Sequence, residues 1–197
     1  MTTIEEATRL IGLVRETFST MGKEIGTLDE VRLSKSGLQG QEGIYLVFRK
    51  TDSSSKKELL TLGYPVAQRT LEDSIRELSY NAYIRLKETG EAPFSNILIE
   101  LHILSPLVSM ADKNVVEYGK LITIGKHGVL IERNFHTALI LPYTAIQKGW
   151  DSIDLLSECC MAAGLSPDAW LDPGTKVYVF EDEVFRELKP EGRATNQ

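Results

Sequence analysis

The chain has 197 residues, 42% of them hydrophobic and 25% charged, with a formal net charge of −6. That length can bury a core without a metal or a disulfide. The acidic balance argues against a general phosphate-binding surface, which needs clustered Lys and Arg, and no apolar run is long enough to span a bilayer. Glu5 and Glu6 come early and no apolar signal-peptide core follows, so the expected location is the cytoplasm. Cys159 and Cys160 are adjacent. Sequence neighbours very rarely bridge each other, so free thiols in a reducing compartment are expected.

In chain order, Ile4, Ala7, Ile11, Val14, Phe18 and Met21 recur at spacings of three and four, one apolar stripe of an amphipathic helix. Thr2 or Thr3, each with Glu three residues on, opens it as a capping box, and Gly22 or Gly26 ends it. The stripe covers too few heptads for a coiled coil, and core packing explains it better. Ile25 to Gln41 reads as polar and turn-rich. Gly43 to Phe48 reads as strand, Thr51 to Lys57 as a solvated loop, and Leu59 to Leu62 as a short strand closed by Gly63-Tyr64-Pro65. Thr70 caps a second helix with the stripe Leu71, Ile75, Leu78, Ala82 and Leu86, stopped by Gly90. Ser95 to Leu104 is the longest predicted strand. Ile97, Ile99, Leu101 and Ile103 share one face, and Leu98, Glu100, His102 and Leu104 the other.

Gly119 to Trp150 reads as short apolar strands broken by tight turns. Leu121–Ile124 and Val129–Ile131 flank Gly125-Lys126-His127-Gly128, a predicted hairpin with positive φ at Gly128. His136–Leu141 is the third run. Both faces of these runs are apolar, which places them inside a sheet and not at its edge. Pro142 suits a first helical turn, so Tyr143 to Lys148 reads as a short helix. Asp151 or Ser152 caps another helix, carrying Ile153, Leu156 and Cys160. Ser166-Pro167 begins one more turn ending near Trp170, and Thr175–Phe180 is read as the last strand. Residues 1–189 form one domain in which lobes cannot be delimited, and residues 190–197 are a flexible tail. Helices and strands do not alternate strictly, and tight turns join neighbouring strands. The expected fold is therefore α+β: a largely antiparallel central sheet flanked by helices, with a small second lobe.

These pieces resemble the AMMECR domain family. The specific ones are I-G-K-H-G-V-L-I (124–131), A-L-I-L-P-Y-T-A-I-Q-K-G-W-D (138–151) and C-M-A-A-G-L-S-P-D-A-W (160–170). Support comes from G-I-Y-L-V-F (43–48), G-Y-P (63–65), I-E-L-H-I-L-S-P (99–106), and Phe180 with Phe185. The resemblance implies a two-lobed α+β domain of about this size and no settled activity. The family's hexapeptide L-R-G-C-I-G falls on Glu58-Leu59-Leu60-Thr61-Leu62-Gly63, so its Arg becomes Leu59 and its Cys becomes Thr61. The segment L-P-Q-V-A-x-E becomes Leu141-Pro142-Tyr143-Thr144-Ala145-Ile146-Gln147, without its Gln and its Glu. Fold-bearing residues persist where polar ones are lost.

No catalytic constellation stands out. His102, His127 and His136 lack the spacing of a ligand set, so no metal or other cofactor is expected. A Cys160–His136 pair conflicts with the apolar setting of Cys160. Glu181-Asp182-Glu183 reads as a solvated turn. Two functions remain. One is a non-enzymatic interaction or binding module, for which the resemblance implies a Memo-like protein or a radical-SAM protein as partner. The other is an enzyme or small-ligand binder with a cleft rebuilt near Gly63, Tyr64, Pro65, His136 and Tyr143. Thr61, Gly63, Tyr64, Pro65, His136 and Tyr143 are the candidate binding residues; no residue is assigned to catalysis, and neither nucleic acid nor membrane is an expected partner.

Overall fold

A computed structural model describes residues 2–22, 42–51, 56–66, 69–91, 94–190 and 194–196. The Ile25–Gln41 reading lies outside them. The elements run α1 (Ile4–Gly22), β1 (Gly43–Thr51), β2 (Lys56–Tyr64), α2 (Leu71–Glu88), β3 (Ile97–Leu104), β4 (Val108–Ser109), α3 (Tyr118–Leu121), β5 (Gly128–Arg133), β6 (His136–Ile140), α4 (Pro142–Lys148), α5 (Ser152–Ala162), β7 (Lys176–Phe180), β8 (Asp182–Glu187) and β9 (Ala194–Asn196). The chain divides into two compact units, Met1–Leu104 with Glu183–Gln197, and Ser105–Asp182. Each unit is an antiparallel sheet with helices, so the class is α+β. No helix among the described residues is long and apolar enough to cross a membrane.

In the first unit the strand order is β2-β1-β3-β8-β9. Thr3 Oγ1 accepts the Glu6 N–H at the start of α1, and Thr70 accepts the Asp73 N–H at the start of α2. Alternate residues of β1 and β3 (Ile44, Leu46 and Phe48; Ile97, Ile99, Leu101 and Ile103) share one core with Ala7, Ile11, Val14, Ile75 and Leu78 of the two helices. Each of these buried Val, Leu, Ile and Phe side chains is worth about 1.5–3 kcal/mol. Ile4, at the end of the predicted stripe, is instead 51% exposed. In β2 the register slips: Phe48 pairs with Leu60 but Arg49 pairs with Glu58. Leu59 is therefore the extra residue of a β-bulge. Strict alternation would send Leu59 and Leu60 to opposite faces, yet Leu59, Leu60 and Leu62 all pack on the core.

The second unit has the order β4-β7-β5-β6. Val129, Ile131, Ile140, Leu155, Leu156, Cys159, Cys160, Trp170 and Val177 belong to its core. Several expectations change here. Leu121–Ile124 is not a strand: Tyr118 and Ile122, four residues apart, are both buried, and the Ile122 N–H bonds the Tyr118 carbonyl at 3.1 Å. The spacing that reads as β-rich serves a helical turn. β5 is internal, but β6 is an edge strand with His136 and Thr137 exposed. In α5 the core-facing residues are Leu155, Leu156, Cys159 and Cys160, whereas Ile153 is 45% exposed. Thr175–Phe180 is not the last strand. β8 and β9 follow, so the acidic turn and the expected tail contain strand residues, with Phe185 paired to Asn196. Phe180 and Phe185 are both fully buried, in different sheets.

The positive φ expected at Gly128 is found at Gly125 instead, at 83°. Gly128 is needed for a different reason. A Cβ there would lie 2.3 Å from Phe180 Cζ and 2.8 Å from the Ile140 carbonyl oxygen. Gly128→Ala is expected to cost about 1–3 kcal/mol by overpacking, read by denaturant unfolding. Phe180→Leu in the same chain should recover only part of that loss, because the nearest clash is with the Phe180 ring while the contact with the Ile140 carbonyl remains.

Candidate functional site

Glu58 to Gly63 lies wholly within β2, an edge strand. Thr61 Oγ1 donates to Glu58 Oε1 at 2.8 Å. Glu58 Oε2 is 3.3 Å from Arg49 Nη2, and Arg49 Nε donates to Glu100 Oε2 at 3.0 Å. Glu100 Oε1 lies 3.6 Å from Arg186 Nε, and Glu100 Oε2 lies 3.9 Å from His102 Nε2. This polar chain crosses four strands on the sheet face away from α1 and α2. Arg49, Glu100 and His102 are all buried. Burial alone would push the Glu100 carboxyl up; hydrogen bonding from His102 and the charges of Arg49 and Arg186 outweigh it and bring it to about 2. Gly63 pairs with Tyr45, and a Cβ on Gly63 would lie 2.3 Å from the Tyr45 ring. The ring covers the glycine, as aromatic residues do over edge-strand glycines.

After β2 the chain forms a pocket of about 310 Å³ lined by Tyr64, Pro65, Val66, Arg69, Ser74 and Glu77. The start of α2 supplies Ser74 and Glu77. Arg69 Nη1 lies 3.4 Å from Glu77 Oε2. Burial raises the Tyr64 phenol pKa, helped by the charge and hydrogen bond of Glu77 and opposed by Arg69. Of the predicted residues, Tyr64 and Pro65 line this pocket, while Thr61 and Gly63 lie on the strand leading into it.

His136 and Tyr143 belong to the second unit. His136 Nδ1 is 2.9 Å from the Ala163 carbonyl oxygen, and Tyr143 sits half-buried in the first turn of α4. His127 Nδ1 accepts the Thr123 N–H at 3.0 Å, closing its own loop. Cys159 and Cys160 are fully buried. Burial, then the neighbouring Cys160, pushes the Cys159 thiol up to about 12, and burial raises Cys160 as well. Neither is poised as a nucleophile. Among the described residues no group of three or more His, Cys, Asp or Glu could hold a metal ion.

The AMMECR1 family model matches residues 23–185. The chain belongs to this family. Protein MK0488 of Methanopyrus kandleri is 31% identical over 202 residues, covering 96% of this chain and 92% of that protein. Protein NEQ441 of Nanoarchaeum equitans is 32% identical over 176 residues, covering 86% and 93%. The crystal structure of the uncharacterized protein PH0010 from Pyrococcus horikoshii shares the fold, with a TM-score of 0.80 at 23% identity and coverage of 96% and 95%.

In this AMMECR1 protein the Glu58–Gly63 segment lies on a strand with polar chemistry around it. Sequence reasoning missed Arg49, Glu58, Glu100 and Arg186 as a connected set, and Arg69, Ser74 and Glu77 as pocket walls. One signal was available: Glu100 and His102 interrupt an apolar strand, and a carboxylate placed there needs a cation.

Glu100 is held below its ordinary value of 4.5, at about 2, so its contribution to stability is complete above 4.5 and is lost as the pH falls through about 2. Unfolding measured across that acid range should show wild-type stability falling with pH, and Glu100→Gln should flatten that slope. At neutral pH the same substitution should cost about 1.5–3 kcal/mol, because the buried Arg49 loses its hydrogen-bonded carboxylate and keeps only Glu58.

Proposed function

We propose that this AMMECR1 protein is a non-enzymatic binding module of the cytoplasm. Its recognition surface is the end of β2 and the pocket that follows, and its occupant comes from a protein partner. The observation that carries the reading is the pocket itself. The Tyr64-Pro65 pair leads into a concave, part-polar wall, with neither cysteine thiol in its lining. Aromatic residues in such positions dominate binding energy more often than their area suggests. The family resemblance makes a Memo-like protein and a radical-SAM protein the first partners to test. Nucleic acid is not an expected partner, given the net charge of −6. His136 and Tyr143 are retained as candidate binding residues of the second unit.

One observation favours an enzymatic reading. Thr61 Oγ1 sits 2.8 Å from the Glu58 carboxylate, the spacing of a nucleophile and its base. Against it, Glu58 is already engaged by Arg49, and a threonine hydroxyl is a weak nucleophile that needs a free, strong base.

The two readings separate in a native pull-down with mass spectrometry, run on wild type, Thr61→Ala and Tyr64→Ala and including small-molecule extracts. Tyr64→Ala should weaken capture by about 2 kcal/mol or more, while Thr61→Ala should leave it within about threefold. A turnover that vanishes in Thr61→Ala, with the fold intact, would replace the module with an enzyme.

A further inference from the structure

Edge strands invite pairing with another chain, and proteins deter it with shortness, charge or bulges. Three of the four sheet edges here are deterred in this way. β4 is only Val108–Ser109, β9 is only Ala194–Asn196, and β2 carries Lys57 and the bulge at Leu59. β6 differs. It has no bulge and no proline, and residues 134–147 contain no Asp, Glu, Lys or Arg. A two-residue turn is closed by a hydrogen-bonded pair, here Arg133 and His136, and such pairs alternate along an antiparallel ladder. Ala138 and Ile140 therefore turn their backbone groups toward β5. The Cys159 thiol lies over that ladder, 3.5 Å from the Ala138 carbonyl and 3.6 Å from the Val129 carbonyl. Thr137 and Leu139 turn theirs outward, and neither bonds a backbone group of another element among the described residues. Beside this edge Phe135 is fully exposed. The turn does not need it, because Asn134 takes the positive φ, at 55°.

We propose that β6 pairs antiparallel with β6 of a second copy of this chain, about a twofold axis through Ala138. Each Thr137 then faces the second copy's Leu139, and each such pair exchanges both N–H···O bonds. Ala138 faces its own copy at the closely spaced, non-hydrogen-bonded position, which suits the smallest side chain of the strand. Phe135 comes opposite the second copy's Leu141, beside Pro142, where β6 has ended. Charge selects this occupant. A twofold axis brings any charge near it close to the same charge on the other copy, which is destabilising, and this segment carries none. The contact is isologous and closes at two copies. It goes beyond the binding-module reading and uses none of the residues that line the pocket after β2.

The test is sedimentation velocity of the full chain over a range of concentrations, for wild type, Phe135→Ser and Thr137→Pro, with circular dichroism to confirm folding. Wild type should pass from monomer to dimer as concentration rises. Phe135→Ser should weaken the dimer about tenfold or more. Thr137→Pro removes an outward N–H that an edge strand can spare, and should abolish it. A second measurement fixes the register. Ala138→Cys should give a disulfide-linked dimer under mild oxidation, since its two copies stand within disulfide reach; Cys159 and Cys160 are fully buried and do not compete. His136→Cys should not, because its two copies stand roughly 13 Å apart along the strands. A wild type that stays monomeric up to about 1 mM would overturn the proposal. So would a dimer that neither substitution weakens, or a cross-link at position 136 and not at 138. A monomeric wild type that instead binds a foreign extended peptide, and loses it in Thr137→Pro, would overturn it as well.

Discussion

Two carboxylates out of reach of water hold the first unit together. Glu187 on β8 is 1% exposed and takes Arg15 of α1 in a two-point pair, at 2.6 and 3.1 Å. The same carboxylate accepts the Ile99 N–H at 3.0 Å, and Arg15 donates on to the Ile97 carbonyl at 2.6 Å. One ion pair therefore ties α1, β3 and β8. Glu100 does the corresponding work on the other sheet face, between Arg49 of β1 and Arg186 of β8. Such pairs add little net stability over apolar residues of equal volume, but breaking one strands a buried charge. Their consequence is register: a slip of one residue would move Glu100 or Glu187 to the wrong face, away from its cation.

Much of the architecture could be read from the chain because apolar periodicity and capping chemistry are local. The stripes of α1 and α2, the Thr70 cap and the Pro142 start all follow from spacings within a few residues. The failures share a cause as well. Leu121–Ile124 and Gly128 were ambiguous because short apolar runs carry no period long enough to separate strand from turn. The constraint on Gly128 comes from Phe180, about fifty residues away. β8 and β9 are hidden because β8 pairs with β3, about eighty residues upstream, and their own residues are largely polar. Of the pocket walls, Tyr64 and Pro65 are the two that the sequence marks, by turn chemistry. The ion network and the charged pocket walls depend on strand pairing, which a single sequence does not display.

The hexapeptide shows what survives when a motif diverges. Gly63 persists, and its constraint is physical, since the Tyr45 ring occupies the space of a side chain there. Leu59 and Leu60 stand where the resemblance implies an Arg and a Gly, and the bulge at Leu59 turns both into the core. The strand offers apolar packing at Leu59, Leu60 and Leu62 and a hydroxyl, held by Glu58, at Thr61. A guanidinium is still present on the same sheet face, at Arg49, but it serves Glu58 and Glu100. The charged groups of this face flank the segment, at Arg49, Glu58 and Glu100, and the concave surface has its walls beyond it, on the approach to α2.

The central claim is that the surroundings of position 61 do not activate a nucleophile. The most direct measurement is the thiol pKa of a Thr61→Cys variant, from the pH dependence of its alkylation; Cys159 and Cys160, fully buried, stay silent in the folded chain. The Glu58 carboxylate 2.8 Å from the Thr61 hydroxyl disfavours a thiolate there. The expected result is a pKa at or above about 8.5, the ordinary thiol value. A pKa below about 7, with the thiolate present at neutral pH, would show activating surroundings of the kind catalytic cysteines occupy and would contradict the account.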